Sequence, residues 1–294
     1  MKAAALCETE LVAVLVSLES QMPCVVTIQE GTALPSGPLT SDHRSLQRSL
    51  RLQVEQQTGL RPGHTEQLYT FTDSSLGTDP RKVRISYMAC LPTSVSPSPE
   101  RCGLYDYFPW EDRRQNAVPA QLIAAIRYLR SWAGQDETRW QRCAATFGLD
   151  GHSWNDELAL ARYELMWEAG LVRESLAAGQ PLPEDRPMLH DHRRVLATAL
   201  SRIRARIRYT PMVFDLLPAE FTLLQLQSAM EALAGRLMHK QNFRRLVLQQ
   251  NLLSETDRFD AAGPGRPARL YRFRQEAAQD CYLAGAKKPL SALR

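Results

Sequence analysis

Nowhere does this 294-residue chain carry the long apolar run of a membrane span, which needs about 20 consecutive residues, and a helical membrane protein is thereby excluded. Its one apolar run near the start, Leu11–Leu18, follows Glu8 and Glu10 rather than the basic residues of a secretory leader. A cytoplasmic protein is the expectation. No CxxC spacing occurs among Cys7, Cys24, Cys90, Cys102, Cys143 and Cys281. Neither a zinc ribbon nor a disulfide framework is therefore expected, and the thiols read as reduced and mostly buried. Surplus charge is scarce as well, at +4 for the whole chain. What is present is a hydrophobic fraction of 44%, enough for real cores, in a length that suits about two domains.

The little basic surplus is local. Between Arg236 and Arg274, nine Lys or Arg stand against Glu255, Asp257 and Asp260, a net charge of +6 that leaves the remainder of the chain at −2. Such a footprint fits a polyanion better than a generally adhesive surface. The pattern in this stretch predicts a helix, a second helix and a two-stranded wing. Thr222 and Gln225 have capping-box spacing, Leu223, Leu226, Met230 and Leu233 form one apolar stripe, and Gly235 ends the helix. In the next helix Phe243, Leu246 and Val247 point inward, which leaves Lys240, Gln241, Asn242, Arg244 and Arg245 outward. Arg forks onto guanine, Asn and Gln pair with adenine, and Lys and Arg neutralise phosphate, so this mixture suits a nucleic-acid reader and no catalytic role. Leu252–Thr256 and Arg269–Phe273 read as the wing strands, with Tyr271 and Phe273 on one face. Arg266 lies in the Gly/Pro-rich tip between them, and Arg269 opens the second strand. Together these make a winged helix-turn-helix, with double-stranded DNA as its expected partner. A winged helix that binds only protein, its arginines a solvated face, is the competing reading.

The first hundred residues read as strands, at Leu11–Val16, Cys24–Ile28, Tyr69–Phe71 and Val83–Leu91, around one helix. That helix carries Leu46, Leu50 and Val54 inward and ends at Gly59. The segment Leu34–Leu60 resembles a Nudix domain: a loop glycine, Gly37, then a helix closing on Thr58-Gly59-Leu60. Aligned there, the Nudix Arg-Glu pair falls on Leu52-Gln53, the Glu-Glu pair on Gln56-Gln57, and the earlier Glu on Arg44. The scaffold of the motif is kept and its carboxylates are gone. Mg²⁺ needs hard anionic oxygens, and a glutamine supplies neither charge nor a base. The expectation is no catalytic residue, no metal and no cofactor. Arg44, Gln53, Gln56 and Gln57 retain hydrogen-bonding capacity and one cation, so they are the candidates for holding a phosphate-bearing effector without cleaving it. A domain that binds nothing and serves for dimerisation stands beside that reading.

From about Leu104 to Arg186 the pattern is mostly helical and exceeds a minimal Nudix domain. The aromatic run Tyr105–Trp110 holds Pro109 and is expected to be extended. Helices are expected at Val118–Trp132, Glu137–Phe147 and Asn155–Gly170, the last with Leu158, Ala161, Leu165 and Glu168 along one side. Gln180–Pro187, with three prolines, reads as a linker. A long helix from His190 to Arg208 then presents Leu196, Leu200, Ile203 and Ile207 inward and Arg193, Arg194, Arg202, Arg204, Arg206 and Arg208 mostly outward. His190 and His192 are two apart and share no helix face, so they read as a solvated helix start rather than a metal site.

Taken together, RIRYTPMVFDLLPAEFTLLQLQ, HKQNFRR and GRPARLYRF resemble the Nudix-related transcriptional regulators of NAD metabolism, bacterial repressors that join a Nudix-like domain to a winged helix. The resemblance implies an α+β protein: a degenerate Nudix-like α/β domain over residues 1–186 with a helical insertion at about 104–186, a connecting helix at 187–209, and a winged helix at 210–294. It also implies a homodimer on a palindromic operator, control of NAD biosynthesis or salvage genes, and ADP-ribose or a related NAD derivative as effector. Lys240, Asn242, Arg244 and Arg245 then fall on the recognition helix and Arg266 on the wing. The helical insertion departs from the shorter members of the family. A Nudix pyrophosphohydrolase with atypical residues and a protein-interaction scaffold are the alternatives.

Overall fold

A computed structural model describes residues 7–40, 45–72, 81–92, 99–115, 117–177, 181–182, 186–207, 211–261 and 267–274. Its first half is built on β1 (Cys7–Glu19), which pairs antiparallel with β2 (Met22–Val26) and β3 (Ser36–Pro38) and parallel with β5 (Arg81–Cys90). β4 (Glu66–Thr72) extends β5, and β6 (Arg101–Gly103) extends β2, giving the order β4-β5-β1-β2-β6 with β3 beside β1. The four strands expected from sequence all form; β1, β4 and β5 run longer, and β2 keeps its length but lies two residues earlier. β3 and β6 are additions, three residues each, whose Gly and Pro content hides them from a period-two search.

The middle of β1, Leu11–Val16, is apolar without interruption and buried on both faces. Leu11, Ala13 and Leu15 pack with Leu50 and Val54 of α1 (Leu46–Thr58). That helix starts where the Ser45 hydroxyl accepts the Arg48 N–H and stops where Gly59 turns left-handed at φ 70°. Val12, Val14, Val16 and Leu18 face the opposite way, into a second core.

That second core runs through the rest of the molecule. It takes in α2 (Leu104–Tyr107), a 3-10 turn at Pro109–Glu111, α3 (Ala120–Ala133), α4 (Glu137–Phe147), a 3-10 turn at Asp156–Leu158, α5 (Ala159–Glu168) and α6 (His192–Arg206). After a 3-10 segment at Pro211–Leu216 it continues into β7 (Phe221–Thr222), α7 (Leu223–Ala234), α8 (Lys240–Gln249), β8 (Leu253–Asp260) and β9 (Ala268–Phe273). β7, β9 and β8 form a three-stranded antiparallel sheet beside α7 and α8. Helix, helix and wing are therefore present as expected, and α6 packs against the sheet, α5 and α7 rather than spanning open space.

Three expectations are corrected here. Tyr105–Trp110 is a helical turn followed by a 3-10 turn, not an extended run, because Asp106 caps the Gly103 N–H at 3.1 Å and Tyr107, Phe108 and Trp110 are driven into the core. α5 buries Ala159, Arg162, Tyr163, Leu165 and Met166, whereas Glu168 is exposed. The helix is turned so that Arg162 meets a buried carboxylate, an attraction that no hydrophobic stripe reports. On α6, Leu196, Leu200, Ile203 and Ile207 are inward as expected, but Arg193 and Arg204 are also fully buried. Arg193 donates to Tyr107 O at 3.0 and 2.6 Å and to Glu174 at 3.1 Å, so its charge is compensated where it lies. Arg208 and half of the expected linker, residues 180 and 183–185, lie outside the described residues, while Leu182 is buried.

The solvated helix start also fails, since His192 is completely buried and its Nδ1 accepts the Leu34 N–H at 3.0 Å. Burial pushes the imidazole down to about 4, against about 6.5 in an unfolded chain. The unfolded chain thus binds a proton that the folded one refuses. His192 costs nothing above pH ~6.5, and as the pH falls from there to about 4 it removes up to ~3 kcal/mol of stability. Urea unfolding across that range is expected to show a shallower acid-side decline in His192→Gln than in the parent, and parallel profiles would refute the assignment.

Candidate nucleic-acid interface and ligand site

The helix pair is set by local bonds. Thr222 Oγ1 accepts the Gln225 N–H at 3.2 Å and Gln225 Oε1 accepts the Thr222 N–H at 2.7 Å, the reciprocal capping box read from the sequence. Gly235 ends α7 at φ 71°. Two side chains of α7 then hold the turn into α8: Gln227 Nε2 donates to Met238 O at 3.1 Å, and Glu231 Oε1 accepts the Met238 N–H at 2.8 Å. The entry angle of α8 is fixed from the helix before it.

On α8, Phe243 and Val247 are buried and Leu246 is half-buried, which leaves Lys240, Gln241, Asn242, Arg244 and Arg245 exposed along one side. None of these five side chains has a hydrogen-bond or ion-pair partner among the described residues. His239 at the helix N-cap supplies no side-chain bond and no acid sits in the first turn. The first amides of α8 accordingly face solvent with the positive end of the helix dipole, a fitting place for a phosphate.

The wing is different. Its strands run Leu253–Asp260 and Ala268–Phe273, anchored where Phe273 stacks on Phe214 at 4.2 Å and Tyr271 is buried. Arg269 is paired with Glu255 and lies 5.4 Å over the Phe259 ring. Arg258 and Arg272 share Glu220 at 2.7 and 2.5 Å. Arg266 lies outside the described residues. Exposed pairs of this kind are worth about 0–1 kcal/mol, so a phosphate can exchange for the carboxylate at little cost.

Around α1 the glutamines are employed on the chain itself. Gln53 Nε2 donates to Pro38 O at 2.6 Å. Gln57 Nε2 donates to Ser36 O at 2.6 Å and its Oε1 accepts the Ser36 N–H at 3.1 Å. The two amides thus fasten β3 along the helix, and Gly37 between them has no room to spare, since a Cβ there would stand 3.1 Å from the Gln53 amide. Gln56 points to solvent, and Arg44 lies outside the described residues. Glu55 pairs with Arg61 at 2.5 Å. Among the described residues no group of three or more His, Cys, Asp or Glu could hold a metal ion.

A cavity of about 490 Å³ opens beside this fastening, lined by Cys7, Glu8, Thr9, Glu10, Pro38, Leu39 and Lys82. Glu8 and Glu10 of its lining belong to a ladder of opposite charges, Lys82 to Glu8 at 3.8 Å and Arg84 to Glu10 at 2.8 Å. The parallel register of β1 on β5 sets Glu8 opposite Lys82 and Glu10 opposite Arg84. These side chains escape a sequence reading because about 70 residues of chain separate the partners, and only strand pairing joins them.

Comparison with known proteins follows the same division. Residues 213–273 match the NrtR DNA-binding winged helix domain. The "ADPR responsive transcriptional repressor NtrR" of Acinetobacter baylyi is 40% identical over 83 residues, 28% of this chain. The chain spans about a third (33%) of the length of that curated relative. Among solved structures, Shewanella oneidensis NrtR complexed with a 27mer DNA is 20% identical at a TM-score of 0.55, covering 92% of this chain and 95% of that one. A MutT/nudix family protein from Enterococcus faecalis is 13% identical at a TM-score of 0.50, covering 93% and 89%. The fold is thus a Nudix-like α/β domain followed by a winged helix.

Gln57→Ala removes two hydrogen bonds between α1 and β3. A loss of about 1–3 kcal/mol in urea-measured stability is expected, at roughly 0.5–1.5 kcal/mol per bond, and an unchanged midpoint would show that the fastening contributes nothing.

Proposed function

With residues 213–273 forming a winged helix of the NrtR DNA-binding type, we propose that this chain is a transcriptional repressor that binds operator DNA and senses ADP-ribose or a related NAD-derived nucleotide. The observation that carries the reading is the open face of α8, where five polar side chains without internal partners crown a locally basic segment. Arg244, Arg245, Asn242 and Gln241 are suited to base edges in the major groove, and Lys240 and the first amides of α8 to phosphate. Arg269, released from Glu255, and Arg266 would add wing contacts to the backbone.

Two such readers on a homodimer would face a palindromic operator, and NAD biosynthesis or salvage genes are the targets the reading favours. The place of action is the cytoplasm. No helix among the described residues is long and apolar enough to cross a membrane. The Nudix-like domain binds its nucleotide without turning it over. The positions that would need carboxylates are Arg44, Gln53, Gln56 and Gln57, and two of the four, Gln53 and Gln57, are committed to β3. Gln56 and Arg44 are the members of the set left for the ligand's phosphates. Ligand binding releases DNA only by favouring a different arrangement of the two readers, because a ligand indifferent to both states shifts nothing.

The experiment is selection of binding duplexes from a random library, followed by titration of the selected duplex at several salt concentrations. Arg244→Ala or Arg245→Ala should weaken binding by about 1–3 kcal/mol where the side chain reads a base, or reduce the salt slope by about one where it meets phosphate. A double variant that binds like the parent at every salt concentration would remove α8 from the interface. Incubation with ADP-ribose and Mg²⁺ or Mn²⁺ should give no hydrolysis, and turnover would establish a pyrophosphohydrolase instead.

A further inference from the structure

The side chains of the helical insertion converge on the end of α7, at the turn that aims α8. Glu111, in the 3-10 turn after α2, is wholly buried and its carboxylate is shared by two buried guanidiniums. Arg162 of α5 meets it at 2.5 and 3.0 Å, and Arg204 of α6 forms a third charged hydrogen bond. Arg204 goes on to donate to the Leu233 carbonyl of α7 at 3.2 Å and to the Glu111 carbonyl at 3.1 Å. Tyr105 of α2 donates to Ala232 O at 2.6 Å, so two carbonyls at the C-terminal end of α7 are met by side chains from elsewhere in the fold. The Arg113 N–H donates to Gly235 O at 2.7 Å. Asp156 of the insertion holds Arg236, the residue after that glycine, at 2.6 Å.

The approach is close enough to demand a glycine. A Cβ on Gly235 would collide with the Glu111 carbonyl and stand 2.6 Å from the Arg204 guanidinium, and the residue's φ of 71° independently favours glycine. Four separate segments of the chain therefore close on residues 232–236, which immediately precede the reader helix.

We infer that the helical insertion, together with α6, is a positioning bracket for the DNA reader: Glu111, Arg204 and Asp156 lock the α7–α8 turn to the body of the same protomer. The reader then moves with its own Nudix-like domain as one unit, and the spacing between two readers is set by how two bodies associate. Glu111, Arg204 and Asp156 are positioning residues, since they act through the backbone of residues 232–236 and touch no DNA-facing side chain. The part of this inference that concerns DNA spacing rests on the repressor reading. The part that concerns the bracket does not.

The test uses the full chain in three forms: Glu111→Gln, which keeps the shape and removes the charge; Asp156→Asn, which weakens the contact to Arg236 and leaves the Glu111 carboxylate in place; and Glu168→Gln, which alters a surface pair of the insertion outside the bracket. Amide hydrogen exchange is followed in residues 236–249 and in β1. Glu111→Gln is expected to speed exchange in 236–249 by about a hundredfold, because a buried guanidinium loses its counter-charge, while β1 keeps its protection. Asp156→Asn should act in the same place by a smaller factor, and remains informative where Glu111→Gln does not fold. Glu168→Gln should change neither segment.

Equal acceleration in β1 and α8 would mean general stabilisation and overturn the bracket, as would unchanged exchange in 236–249 in both bracket variants. In parallel, the selected duplex and versions with base pairs inserted between its half-sites are compared. The bracket predicts that the parent discriminates sharply among spacings and that the variants lose that discrimination. Localised exchange without any specific DNA binding would sink the repressor reading and leave the bracket standing.

Discussion

The buried carboxylate of Glu111 stands between two buried guanidiniums, and on the bracket inferred above the placement of α8 depends on it. Burial alone would raise the Glu111 carboxyl, but Arg162 and Arg204 hold it below the usual carboxylate range. Taking three charges out of water is expensive, and their mutual attraction offsets the cost only when every hydrogen bond is made. Here they are made, to the Thr146 and Asn155 carbonyls by Arg162 and to Leu233 and Glu111 carbonyls by Arg204. An apolar core in this place could be as stable. What the ionic cluster adds is direction, since each guanidinium fork accepts few arrangements of its partners.

The basic side chains that matter most here fall into three groups, and the division has functional content. Arg162, Arg193 and Arg204 are consumed by the interior, and Arg258, Arg269 and Arg272 are held in exchangeable surface pairs. Lys240, Arg244 and Arg245 are committed to nothing among the described residues. The glutamines of α1 show the same economy in reverse, because Gln53 and Gln57 serve as fasteners for β3.

Local signals were legible in the sequence. The capping box at Thr222 and Gln225, the terminating glycines Gly59 and Gly235, and the stripes on α1 and α7 each involve residues within one or two helical turns of one another, and each stands where spacing places it. Non-local pairings were not. Arg204 looks like one more outward arginine until Glu111, 93 residues earlier, is brought to it. The run Tyr105–Trp110 looks extended because of Pro109, yet Pro109 begins a 3-10 turn, where its missing N–H costs nothing. The α5 register was misjudged for the same reason as Arg204, since a buried charge outweighed the apolar stripe. On α8, the outward placement of all five residues was readable, because an amphipathic helix reveals its outer side. On α1, the glutamines were readable as types but their use against β3 was not.

In the proposed repressor, a reader with open side chains is joined to a nucleotide domain that carries glutamines in place of carboxylates, so binding and release both proceed without turnover. The most direct measurement is fluorescence anisotropy of the selected duplex on the full chain, titrated with ADP-ribose in the presence of a metal chelator, with the nucleotide recovered afterwards. Release of the duplex by intact ADP-ribose, with no requirement for metal, is the predicted result. A duplex that stays bound at saturating ADP-ribose, or is released only when added metal permits hydrolysis of the nucleotide, would contradict the account.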